Sequence, residues 1–154
     1  MEIITENNIE KEFTLVESIF GDLKNYHREI EYLGFGKFCD VYLMCEEKPK
    51  KNQIDILNEF NENYKEKLAE VDKLIIKKMN LTDSEQIEKI KNSMLYLDVI
   101  SIPEKNPKYE MVIVCSKTYK SMYIFKKTIN IRIEYKNGQI KSSEIKKNTT
   151  EDNN

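Results

Sequence analysis

The side chains able to make or break bonds are few in this chain. His27 is the single histidine and stands beside Arg28 at the start of an alternating stretch. Imidazole is the commonest general base near neutral pH. An enzyme built on this sequence would therefore rest on His27 or on carboxylates gathered in a pocket. The register of the stretch puts His27 on a wet strand face, where a lone histidine is ordinarily a surface residue. Cys39 and Cys45 fall on the same face of one strand. At about 3.3 Å per residue they stand roughly 20 Å apart, too far to hold one metal ion. With Cys115 they read as core thiols. Leu33-Gly34-Phe35-Gly36 offers a GxG without the third glycine of a dinucleotide fingerprint, so it reads as a turn. No serine or cysteine stands in a nucleophile-elbow context, and the acids are scattered at solvent-facing spacing. The expectation is no catalytic residue, no metal and no cofactor.

A second constellation is recognitional. Lys117, Tyr119, Lys120, Tyr123, Phe125, Lys126 and Lys127 interleave cations with aromatics. Residues 117 to 147 hold nine bases against two acids, whereas residues 1 to 31 hold eight acids against three bases. Aromatics at a surface favour protein interfaces. The same interleaving suits single-stranded nucleic acid, through stacking plus charge. A third reading places the aromatics in the core and the lysines at its solvated rim. A protein partner is preferred over nucleic acid, because only Arg28 and Arg132 among 25 basic residues are arginine, the residue suited to bidentate phosphate and base contacts.

Composition narrows the field further. The 154 residues suffice for one domain with a real core, and 40% hydrophobic with 34% charged residues is ordinary for a globular protein. A net charge of −2 exerts no overall pull on nucleic acid or anionic lipid. No stretch approaches the roughly 18 apolar residues of a membrane span. The acidic, Asn-broken start MEIITENNIEKEF is unlike a signal peptide. Three cysteines without framework spacing read as reduced thiols, hence a cytoplasmic location.

The elements that must position these groups follow from period. FTLVESIF (13 to 20), HREIEYL (27 to 33) and KFCDVYLMC (37 to 45) alternate as strands. From Asn52 the period changes. Leu57, Phe60, Tyr64, Leu68, Val71, Ile75 and Met79 form one stripe of a helix of about 28 residues, or roughly 40 Å at about 1.5 Å each, which must cross the whole sheet or kink. Asn52 is its expected N-cap, with Asp55 at the capping-box position. Thr82-Asp-Ser-Glu85 is a capping box for a short helix from about 83 to 93, with Ile87 and Ile90 inward. LYLDVISIP (95 to 103) and YEMVIVCSK (109 to 117) are strands, and residues 118 to 127 read as loop or as the start of the next strand. TINIRIEYKNGQIKSSEI (128 to 145) is a hairpin. Ile129, Ile131, Ile133 and Tyr135 share one face, and Asn137-Gly138 supplies a type I′ turn. That turn sets Tyr135 opposite Ile140 and, by simple continuation, Ile133 opposite Ser142 and Ile131 opposite Glu144. The result is a short edge strand. The fold predicted is α+β: a largely antiparallel sheet of six to seven strands, with one long and one short helix packed on one face. Residues 1 to 145 form the domain, and 146 to 154 are expected as a disordered polar tail.

IFGDL (19 to 23), the hairpin after it, LNEFNENYKEKL (57 to 68) and TINIRIEYKNGQI (128 to 140) together give the chain a resemblance. It resembles a loose group of bacterial domains encoded near polymorphic toxins, some regarded as immunity proteins. That resemblance spans most of the chain and carries over no catalytic residue. It implies a non-enzymatic protein-binding module that binds and occludes a toxin. An enzyme using His27 or a carboxylate cluster, and a weak single-strand binder through residues 117 to 127, are the alternatives.

Overall fold

Strict alternation is what builds the sheet. In a strand, neighbouring side chains leave on opposite faces, so every second residue must be apolar if one face is to be covered. Cys39, Val41, Leu43 and Cys45 meet that condition, as do Met111, Ile113 and Cys115, and Ile129, Ile131, Ile133 and Tyr135; all are buried. A computed structural model describes residues 3–17, 22–36, 38–122 and 125–151. Its elements are α1 (Ile9–Glu12), β1 (Thr14–Val16), β2 (Lys24–Ile30), β3 (Cys39–Cys45), α2 (Lys51–Ala69), α3 (Val71–Lys78), α4 (Ser84–Asn92), β4 (Leu95–Pro103), β5 (Met111–Met122), β6 (Phe125–Lys136) and β7 (Gln139–Glu151). The fold is α+β, with a seven-stranded sheet in the order of the sequence, β1 to β7.

Every neighbouring pair is antiparallel except β3 and β4, which are parallel. A parallel pair needs a crossover, and α2, α3 and α4 supply it. Leu57, Phe60, Leu68, Val71, Ile75 and Ile90 from these helices join the core-facing strand residues in one cluster. Each such side chain, fully removed from water, stabilises the fold by roughly 1.5–3 kcal/mol. Ile4, Ile9 and Phe13 of the N-terminal segment complete the cluster.

The stripe expected for one long helix lies where the sequence puts it, with Tyr64 and Met79 packed at its margin. The helix itself is interrupted at Glu70, so the expected pair of helices becomes α2, α3 and α4, and α1 precedes them. The start of α2 also differs. Its N-cap is Lys50, not Asn52, and the box is closed by Gln53 instead of Asp55, with Lys50 N donating to Gln53 Oε1 at 2.9 Å. Gln53 is fully buried, and its Nε2 donates to Ile102 O at 2.8 Å and Met44 O at 3.1 Å. One amide thereby ties the C-terminal ends of the parallel pair to the helix that leaves it. At α4 the N-cap is Asp83, whose Oδ1 accepts from Glu85 N at 2.8 Å. Ile90 is buried as expected, while Ile87 is half-buried.

The Asn137-Gly138 turn has φ of +53° and +70°, as a type I′ turn requires, and pairs Tyr135 with Ile140. Beyond it the simple register fails. A bulge at Lys141 shifts the pairing by one residue, so Glu134 meets Ser142 and Ile131 meets Ile145. Ile145 therefore turns to the core side. The last strand is not short: the segment from Lys146, expected as a disordered tail, continues β7 through Glu151. The ambiguous stretch 118 to 127 is strand in its described part, since β5 runs to Met122 and β6 starts at Phe125. No helix among the described residues is long and apolar enough to cross a membrane.

Candidate recognition surface

Strand lengths create this surface. β4 begins at Leu95, which pairs with Lys117. β5 continues five residues past that point, paired with β6 on one side only. Among the described residues no strand lies on its other side there. Antiparallel pairing uses alternate residues, so between Thr118 and Lys120 some main-chain N–H and C=O groups turn toward the side β4 has vacated. α4 feeds directly into β4 through Ser93 and Met94, so it must stand at the end of β4 and beside this bare edge. Between them is an open hollow of about 570 Å³ lined by Glu85, Glu88, Lys89, Asn92, Ser93, Thr118, Tyr119 and Lys120. Glu85, Glu88 or Lys89, and Asn92 recur at helical spacing and form its helical wall.

The seven residues singled out by type do not share one fate. Lys117 is inside: it is 2% exposed, on the core side of β5, with Nζ donating to Ile90 O at 2.7 Å and paired with Asp72 Oδ1 at 2.6 Å. It is thus no part of a solvated rim. It ties the last turn of α4, whose carbonyls favour a cation, to the start of α3. Tyr119 is half-buried and packs against the core margin. Burial pushes its hydroxyl pKa up, against a smaller opposing effect of Lys89. Lys120 is exposed at the hollow, and its register partner is Lys126. Phe125, Lys126 and Lys127 are half-buried on β6. Tyr123 falls outside the described residues.

Tyr119 also walls a second, more enclosed hollow of about 170 Å³ on its other side, between the α3–α4 connection and the ends of β6 and β7. Sequence reading reached Tyr119, Lys120 and Lys127 by type. It missed the α4 wall and the β7 residues Lys147 and Thr149, because only the tertiary placement of α4 and the bulge in β7 bring them there.

The candidate base stands elsewhere. His27 pairs with Tyr42 across β2 and β3, on the face away from the helices. Its Nε2 meets Asp40 Oδ1 at 2.7 Å, and its ring lies 4.8 Å from that of Tyr42. It lines neither hollow. No group of three metal-ligating side chains occurs among the described residues. The three cysteines are buried and unpaired; burial raises all three thiols, and Cys45, with Glu104 nearby, is pushed up to about 11.

No family model, no curated protein and no solved structure matches this chain. The chemistry of the surface therefore rests on its own geometry. Main-chain hydrogen-bonding groups along a strand edge, an aromatic ring at one end and a helix flank carrying both charge signs can recognise an extended segment. Within the hollow, Glu85 is already engaged by Lys89 at 2.8 Å, which leaves Glu88 as the unspent carboxylate of the helical wall.

Proposed function

We propose that the chain is a non-enzymatic protein-recognition module that takes an extended segment of a partner as an added strand on β5. The observation that carries this reading is the bare β5 edge at Thr118–Lys120 running beside α4 across a hollow of about 570 Å³. Strand addition draws affinity from main-chain hydrogen bonds and specificity from side-chain pockets, and this groove offers a bare strand edge with one hollow beside it. Tyr119 supplies the anchor and Glu88 with Lys120 the polar rim. The immunity-type form of the proposal, in which the partner is a toxin whose site is occluded, comes from the sequence resemblance. A cytoplasmic setting agrees with three free, buried thiols. Single-strand nucleic-acid binding has less support, because Lys117 is withdrawn from the surface and Tyr119 offers only part of its ring.

The test is selection of displayed twelve-residue peptides against the full chain, followed by hydrogen exchange. Selected peptides should slow amide exchange at Thr118–Lys120, and Glu88→Trp, which fills the groove, should abolish their binding. Peptides that bind equally well to Glu88→Trp and leave those amides unprotected would overturn the proposal.

A further inference from the structure

The second hollow is built differently from the first. Register places Tyr119, Lys127 and Thr149 in one row across β5, β6 and β7, and Lys117, Ile129 and Lys147 in the next. These rows lie on the helix side of the sheet. Lys117 is covered there by α3 and α4, while Lys127 and Lys147 stand just beyond that cover. The roof comes from Met79 and Leu81 after α3 and from Gln86 on α4. The hollow thus has apolar walls in Met79, Leu81, Ile129 and the Tyr119 ring, and polar groups in Lys127, Lys147, Thr149 and Gln86. Among the described residues no carboxylate lines it, in contrast to the hollow beside α4 with Glu85 and Glu88. Neither Lys127 nor Lys147 has an acidic partner among the described residues.

Two lysines lining one small, partly apolar hollow concentrate positive charge there, which a bound anion would offset. From this juxtaposition we infer a binding site for a short-chain carboxylate, its head on Lys127 and Lys147 and its tail against Met79, Leu81 and Ile129. Size sets the class of ligand. About 170 Å³ is close to the roughly 150 Å³ cavity that accepts benzene, and well under the roughly 300–1,000 Å³ of sites for drug-sized molecules. The fit is an acid of about six carbons. Lys147 is exposed on the edge strand β7, on the face it shares with Ile129 and Ile145. The site does not rest on strand addition at β5, since it lies on the opposite side of Tyr119.

The experiment is a titration of the full chain with hexanoate, followed by amide chemical shifts. Hexan-1-ol serves as the uncharged control and acetate as the tailless one. Hexanoate should saturate in the low millimolar range, on the order of 4 kcal/mol of affinity, with shifts confined to Leu81, Gln86, Tyr119, Ile129 and their neighbours. Hexan-1-ol and acetate should bind at least tenfold more weakly. Lys127→Met and Lys147→Met should each weaken hexanoate binding fivefold or more, and Lys141→Met, a lysine of the same strand outside the hollow, should leave it unchanged. Equal binding of hexan-1-ol, or unchanged affinity in Lys127→Met and Lys147→Met with native spectra, would overturn the assignment.

Discussion

Replacing Gln53 with methionine keeps the volume of the side chain and removes three hydrogen bonds at the seam of the fold. In the native structure Lys50 N donates to Oε1 at 2.9 Å, while Nε2 donates to Met44 O at 3.1 Å and Ile102 O at 2.8 Å. A protein hydrogen bond contributes about 1 kcal/mol net, so the direct loss is about 3 kcal/mol. The Ile102 carbonyl is buried, so its stranding adds on the order of 1 kcal/mol more. The new thioether surface, buried where the amide was, offsets on the order of 1 kcal/mol. A destabilisation of about 3 kcal/mol follows, or roughly 9 °C in Tm for a chain of this length. The assay is equilibrium urea unfolding followed by two probes, with the slope checked so that a change in midpoint reads as a change in stability. Gln53→Glu, which keeps the acceptor toward Lys50 N but turns an anion onto two carbonyls, should be worse than methionine at neutral pH. A methionine variant within about 1 kcal/mol of the parent, at an unchanged slope, would refute the idea that this amide joins the crossover to the parallel pair.

Further outcomes follow from other buried groups. Lys117→Met should cost about 3 kcal/mol in urea unfolding: it strands the buried Oδ1 of Asp72, but the rest of that carboxylate is part-exposed and Ile90 O keeps the Ser93 N–H at 3.2 Å, which holds the loss to the lower end for a buried pair. An unchanged midpoint would show that Lys117 does not tie α3 to α4. Cys45, pushed up to about 11, has roughly 0.1% thiolate at pH 8, against about a quarter for an unperturbed thiol near 8.5. Alkylation of the native protein at that pH should accordingly run at least a hundredfold slower than in denaturant. Asp98 has its pKa raised by burial, against a smaller opposing hydrogen bond from Ser116. A raised folded pKa means stability that is present at low pH and lost as pH rises through that pKa. Asp98→Asn should therefore have a higher urea midpoint than the parent at pH 7, and the two midpoints should converge as pH falls through the carboxylate range.

Much of the sheet was legible because its signal is local. Period-two alternation identified the core faces of β3, β5 and β6, and Asn137-Gly138 fixed the turn, since few residue pairs accept two positive φ values in succession. The register beyond the turn departs from simple continuation, although the sequence holds a clue. Ile140 and Ile145 are five apart, so a regular strand would send them to opposite faces. One inserted residue, Lys141, returns both to the core side, and only the pull of the apolar cluster on Ile145 selects the bulge. The start of α2 was missed for a different reason. Asn52 and Asp55 are better caps by propensity than Lys50, but Gln53 is needed inside by the strand ends Met44 and Ile102, and that tertiary demand sets where the helix begins.

For the recognition surface, residue type carried the reading part of the way. An aromatic–basic run looks the same whether its lysines face solvent or core. Lys117 could have been separated from Lys120 by parity alone, because it continues the face of Met111, Ile113 and Cys115, whereas Lys120 continues the face of Val112 and Val114. What parity cannot supply is the partner that makes a buried lysine tolerable, and Asp72 with the Ile90 carbonyl comes from helices that the sequence places only by length. The same logic explains the bare edge. β4 starts no earlier than Leu95 because the chain must leave α4 at Ser93, and β5 is free to continue past that point because β6 supports it from the other side. The length mismatch between a nine-residue and a twelve-residue strand is therefore the physical origin of the groove. A residue added between Ser93 and Leu95 that let β4 grow along β5 would erase that groove while leaving the core intact.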